Sequence, residues 1–207
     1  MTLQNRVTPA GDIVADPARG TLMGNRGILH DGERRLGRSR WKHRAWIACR
    51  LDFRDRRRTP MAPGRYTELF FLDEATALAA GHRPCAECRR ADFNWFRAAW
   101  AAAEGDEVLP RAAEMDAALH AARIDRRSRA QIRHQLVAAE LPDGVFVLAG
   151  GSPCLVWRGR LLRWTHGGYD GVTPLPEGAV TVITPAPTVA AIAAGYAPGV
   201  HASVPTG

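Results

Sequence analysis

Apolar positions along this chain keep two different periods. Residues 46–53 alternate: Ile47, Cys49 and Leu51 fall on one side and Trp46, Ala48 and Arg50 on the other, the two-residue period of a strand. Residues 66–72 predict a second strand. The period then becomes helical. Asp73 is placed to cap a helix over residues 74–80, which are good helix formers, and Gly81 suits the position just past its end. A second helix from about residue 89 carries Phe93, Phe96 and Trp100 at i, i+3, i+7 spacing. After Pro110, Met115, Leu119 and Ile124 keep an irregular helical spacing, and Ile132, Leu136 and Val137 fit one face of a further helix. Leu141-Pro142-Asp143-Gly144 ends that region, and the chain beyond it reads as β. Residues 145–148, 154–157, 160–165 and 180–184 predict strands, the middle two joined by a hairpin turn at Arg158-Gly159. A short helix over residues 188–194 closes at Gly195. Residues 1–20, broken by Pro9, Gly11, Pro17 and Gly20, predict loose extended chain, while Gly24-Asn25-Arg26-Gly27 and Asp31-Gly32 predict turns.

At 207 residues, 46% hydrophobic and 24% charged, the chain has the balance of an ordinary globular protein and room for one sizeable domain or two small ones. No apolar run approaches the roughly 20 residues that span a bilayer, and the N-terminus lacks the apolar core of a signal peptide. These features predict a cytoplasmic protein with no membrane partner.

The chemistry gathers at Arg83-Pro84-Cys85-Ala86-Glu87-Cys88-Arg89-Arg90. Two of only four cysteines stand three apart, and such a turn aims both sulfurs at one point, as a tetrahedral Zn²⁺ requires. A redox dithiol would follow a strand inside a βαβ pattern. Here a helix precedes the turn and another follows it, which favours metal. The N-terminus of that second helix, with Arg89 and Arg90, also favours the thiolate. Cys49 is the third expected ligand. The fourth is left between His43, Cys154 and a water. His82 adjoins the turn and suits a packing role or one supporting a ligand.

Leu69-Phe70-Phe71, Glu74-Ala75, Ala79-Ala80-Gly81, Arg83-Pro84-Cys85 and Cys88-Arg89 together resemble the Ada-type metal-binding domain. The resemblance covers about residues 66–89. It implies a zinc ion held by cysteine thiolates, and repair of methylated phosphate triesters in DNA by transfer of the methyl group to a cysteine. In this chain that acceptor would be Cys49.

The net charge of +7 is unevenly spread. Residues 21–60 hold twelve basic and four acidic side chains, a local surplus larger than that of the whole chain. Eleven of the twelve are arginine, which forks onto phosphate oxygens, and Trp41, Trp46 and Phe53 lie among them. Arg34, Arg35, Arg38, Arg40, Arg50, Arg54, Arg56, Arg57 and Arg58 are the expected nucleic-acid contacts, with DNA the expected partner.

The fold class expected is therefore α+β. Residues 1–105 form a basic zinc-knuckle unit of sheet and helix, and residues 106–207 a helical then β-rich half without readable chemistry. The leading function is a zinc-binding, DNA-binding protein of repair or regulation. A metal-dependent nuclease and a zinc-stapled protein-interaction module are the alternatives. Asp116 and His120, one helical turn apart, form a candidate acid–base pair.

Overall fold

The structure, a computed structural model, describes residues 2–55 and 59–205. Among these residues the chain is α+β, with two six-stranded sheets and four α-helices. The first sheet contains β1 (Gln4–Val7), β2 (Ile13–Ala15), β3 (Leu22–Asn25), β4 (Ile47–Arg50), β5 (Leu69–Phe71) and β6 (Arg83–Pro84), in the order β2-β1-β5-β3-β4-β6. Helix α1 (Glu74–Ala79) joins β5 to β6, and α2 (Arg90–Glu104) follows the cysteine turn. After α3 (Ala112–Arg123) comes the second sheet: β7 (His134–Val137), β8 (Phe146–Ala149), β9 (Ser152–Trp157), β10 (Arg160–Thr165), β11 (Gly168–Pro174) and β12 (Ala179–Val182). Its order is β11-β10-β9-β8-β12-β7, antiparallel throughout. Helix α4 (Ala186–Ala193) packs on α2 and α3.

Helix α1 sits at the centre because half of its residues are alanine. Its small side chains let three apolar clusters approach one short helix: Ala77 and Ala80 face the first sheet, Ala75 and Ala79 the second, and Leu78 the cluster built with α2, α3 and α4. Asp73 caps it as expected, its Oδ1 accepting from the Thr76 N–H at 2.8 Å. Gly81 follows at φ 82°, and a Cβ there would lie 2.4 Å from Arg123 Cδ, so backbone freedom and close packing both require glycine. The acid groups at the helix start hold the chain's end in place. Asp73 Oδ2 accepts from Tyr169 Oη (2.7 Å) and the His201 N–H (2.9 Å). Glu74 accepts from Arg89 at 2.8 Å, from the Gly199 N–H at 3.0 Å and from Tyr196 Oη.

Several sequence expectations are corrected. Of the stretch expected to be loose, residues 2–20 are described and are not: β1 and β2 pair as a hairpin that buries Val7 and Ile13. These strands are too short, and too interrupted by proline and glycine, for periodicity to show them. The predicted turn at Gly24 falls in β3, where the glycine serves packing, since a Cβ would meet the Phe71 ring at 2.4 Å. The predicted strand over residues 46–53 keeps only Ile47–Arg50 in the ladder; Leu51 is exposed and the chain bends away. The Ile132, Leu136, Val137 helix is instead strand β7, where pairing with β12 from Val182↔His134 to Ala179↔Val137 overrides a short ambiguous pattern.

Candidate metal centre

Strands β4 and β6 pair in parallel, Ile47 with Arg83 and Ala48 with Pro84. The Cys85 N–H continues this ladder by donating to the Ala48 carbonyl at 3.0 Å. Cys49 is the next residue after Ala48, so the pairing delivers its side chain to Cys85. β4 does not pair with β5, because β3 lies between them, and Cys49 reaches the cysteine turn through β6.

The turn itself folds around its sulfurs. Cys85 Sγ accepts from the Glu87 N–H and Cys88 Sγ from the Arg50 N–H, both at 3.4 Å. The Arg89 N–H donates to the Cys85 carbonyl at 3.1 Å, leading into α2. The sulfurs of Cys49, Cys85 and Cys88 all lie within 4.8 Å of one another, close enough to hold a metal ion. They border a cavity of about 200 Å³ that Phe53, Tyr66 and Glu87 also line. Cys85 is buried, while Cys49 and Cys88 are half-buried.

Three thiols this close cannot all ionise without a cation among them. Cys85 is drawn down to about 5, first by the hydrogen bond from Cys49 and then by the N–H groups of Cys88 and Glu87. Cys49, as the donor to Cys85 and partly desolvated, is pushed up. Burial pushes Cys88 up as well. Without metal Cys85 is thus the thiol that ionises most readily, and a cation would favour release of the protons on the other two.

No fourth His, Cys, Asp or Glu joins the cluster among the described residues. Cys154 lies elsewhere, buried in β9 among the residues packed on α2, with its sulfur over the Ser152 carbonyl. His43 is exposed on the loop before β4, where its carbonyl accepts from Trp46 Nε1 at 2.9 Å. His82 is fully buried, packed against Trp46 and Phe71, and accepts from Arg26 Nε at 3.2 Å. Burial and the neighbouring Arg26 and Arg123 keep it neutral, well below the usual histidine range.

The arginines expected on nucleic acid are exposed where described: Arg34, Arg35, Arg38 and Arg40 on the loop between β3 and β4, Arg50 and Arg54 beside the cysteines. Arg35 is tied to Asp31 and Glu33, and Arg54 lies 3.7 Å from Glu87. Arg56, Arg57 and Arg58 lie outside the described residues. The Asp116–His120 pair does not form. Asp116 is held instead by the buried Arg83 through two 2.8 Å bonds, and His120 Nδ1 faces Arg123 at 3.2 Å. Sequence spacing cannot reveal a partner 33 positions away. Nor did it single out the stack in which the buried guanidiniums of Arg26 and Arg123 lie 4.0 and 3.7 Å from the Trp46 ring centre.

Comparison with known proteins adds nothing to this geometry: no family model, no curated protein and no solved structure matches the chain. Among the described residues no helix is long and apolar enough to cross a membrane.

Proposed function

We propose that this chain is a zinc-thiolate protein that binds nucleic acid, with Cys49, Cys85 and Cys88 holding the ion. The observation that carries the reading is the meeting of three sulfurs, two of them already taking backbone N–H groups, at the junction of β4, β6 and α2. An all-sulfur donor set suits zinc in a reducing compartment. Zinc bound there would hold the thiolates ionised and leave a coordination position for a water or another donor. Arg50 lines the same cavity and Arg54 lies 3.7 Å from Glu87 on its wall, and they supply the charge that phosphates require.

A finer reading builds on the Ada-type resemblance. Cys49 is half-buried and lines the cavity, so a substrate group has access to its sulfur. Transfer of a methyl group from a phosphotriester would form a sulfur–carbon bond on Cys49 and break the carbon–oxygen bond, releasing the phosphodiester. It would occur once per molecule, since the thioether does not turn over.

The test is metal content by mass spectrometry on wild type and Cys49→Ser, together with oligonucleotide binding by fluorescence anisotropy across salt. One zinc per chain, weakened in Cys49→Ser, is expected. A binding constant falling with a log–log slope of roughly −3 to −5 is expected for about four to six phosphate contacts. Equal zinc in both proteins would remove Cys49 from the site. Binding absent at low salt would remove the nucleic-acid reading.

A further inference from the structure

A second cavity, of about 230 Å³, opens away from the three cysteines, none of which lines it. Its wall includes five arginines, Arg26, Arg40, Arg123, Arg129 and Arg133, and a single acidic residue, Asp12. Two of the five, Arg26 and Arg123, are each only 1% exposed. Neither makes an ion pair among the described residues. They are held instead by carbonyls and a ring. Arg26 donates to the Gly11 carbonyl and to His82, and Arg123 to the carbonyls of Gly81 and Arg44. Both lie against Trp46, whose ring is itself 5.9 Å from that of Trp41, and Arg129 covers Trp41 at 4.0 Å. Arg26 Nη2 and Arg123 Nε still have no hydrogen-bond partner among the described residues.

Burying a guanidinium without an anion is costly, because carbonyl dipoles and an aromatic face offset only part of the lost hydration. Here two such groups are buried against the same tryptophan ring. The strain is visible in their acidity: burial, with repulsion from Arg40 and against the pull of Asp12, brings Arg26 down to about 9, and burial, with repulsion from Arg26 and Arg83 and against the pull of Asp116, brings Arg123 to about 8. A protein stabilised by its own contacts alone would place a carboxylate between them. Here both line a cavity instead, with three more arginines, all exposed, in its wall.

The geometry points to a binding site for a phosphate group in this cavity. Phosphate fits because its oxygens match guanidinium forks approaching from several sides, and its charge answers the excess of arginine over Asp12. The volume leaves room for part of the molecule that carries the group. The source is either a free phosphate compound or the terminal phosphate of a nucleic-acid strand, and the site does not depend on the metal reading, since no cysteine contributes to it.

The test follows tryptophan emission, which Trp41 and Trp46 report directly, as inorganic phosphate is titrated into wild type, Arg129→Gln/Arg133→Gln, Arg123→Gln and Arg160→Gln in chloride buffer at constant ionic strength. The double variant alters only exposed side chains, so its fold is expected to survive, and circular dichroism checks this. Saturable binding, weakened about tenfold or more in the double variant and unchanged in Arg160→Gln on the far sheet, is the expected result. Cys49→Ser should bind phosphate as wild type does, even if it loses metal. A 5′-phosphorylated trinucleotide that outcompetes its 5′-hydroxyl form would assign the site to strand ends, and equal competition to free phosphate compounds. Binding that never saturates, or that weakens equally in Arg160→Gln, would overturn the site and leave only a general attraction of a basic protein for anions.

Discussion

Replacing Asp116 by alanine should be among the most damaging single changes in the molecule. Its two oxygens accept from Arg83 Nε and Nη2 at 2.8 Å, and the two side chains are 10% and 5% exposed. Arg83 sits in β6, two residues before Cys85, and its guanidinium also lies 5.3 Å from the Phe93 ring. Removing the carboxylate leaves a buried cation facing apolar neighbours. Breaking a buried pair by deleting one member costs about 3–5 kcal/mol, because the remaining charge cannot regain water. For a domain of this size that corresponds to a fall of roughly 6–20 °C in Tm, at ~2–4 °C per kcal/mol. The assay is thermal and urea unfolding followed by circular dichroism, with zinc present and after chelation. The double variant Arg83→Met/Asp116→Leu supplies the contrast: with both charges gone, most of the loss should be recovered, to within about 1–2 kcal/mol of wild type. An Asp116→Ala protein that loses less than about 1 kcal/mol would refute the reasoning, since that is the scale of an exposed pair.

Two further outcomes are expected. Asp73→Ala should destabilise by about 2–4 kcal/mol in urea titrations, through loss of the α1 cap and the orphaning of Tyr169 Oη and the His201 N–H, with hydrogen exchange rising first at residues 198–204. In the metal-free reduced protein Cys85 should alkylate with an inflection near pH 5, far below an ordinary thiol. By linkage, the stability this thiolate contributes is full above the unfolded thiol range and is lost as pH falls through about 5. An inflection near about 8.5 would show that the three sulfurs do not meet in solution.

Much of the site was legible because its chemistry is local. The Cys-x-x-Cys turn, the Asp73 cap, Gly81 and the face of α2 are written within a few residues of one another, and the structure keeps each of them. Cys49 could be proposed from scarcity alone, but the strand that brings it in could not: β6 is two residues long and carries no periodic signal. Long-range pairings were equally hidden. Arg83 with Asp116, Glu74 with Tyr196, and the Arg26–Trp46–Arg123 stack join residues far apart in the chain, and nothing in their neighbours' sequence points to the partner. The basic stretch of residues 21–60 was plain as a charge excess. That two guanidiniums, Arg26 from this stretch and Arg123 from α3, would be buried instead of solvated was not, since composition does not say which side of a surface a residue faces.

The brevity of β6 has one more consequence. A ladder of two residue pairs between parallel strands has little hold on its own alignment, and since β3 fixes β4 through four pairs, a slip by one position would carry Cys85 out of line with Cys49. The three sulfurs converge in a single alignment only. A cation bound to them would therefore act as a register pin, fastening positions 49 and 85 across the intervening segment that carries β5 and α1 in the way a crosslink does, yet released by acid or a chelator.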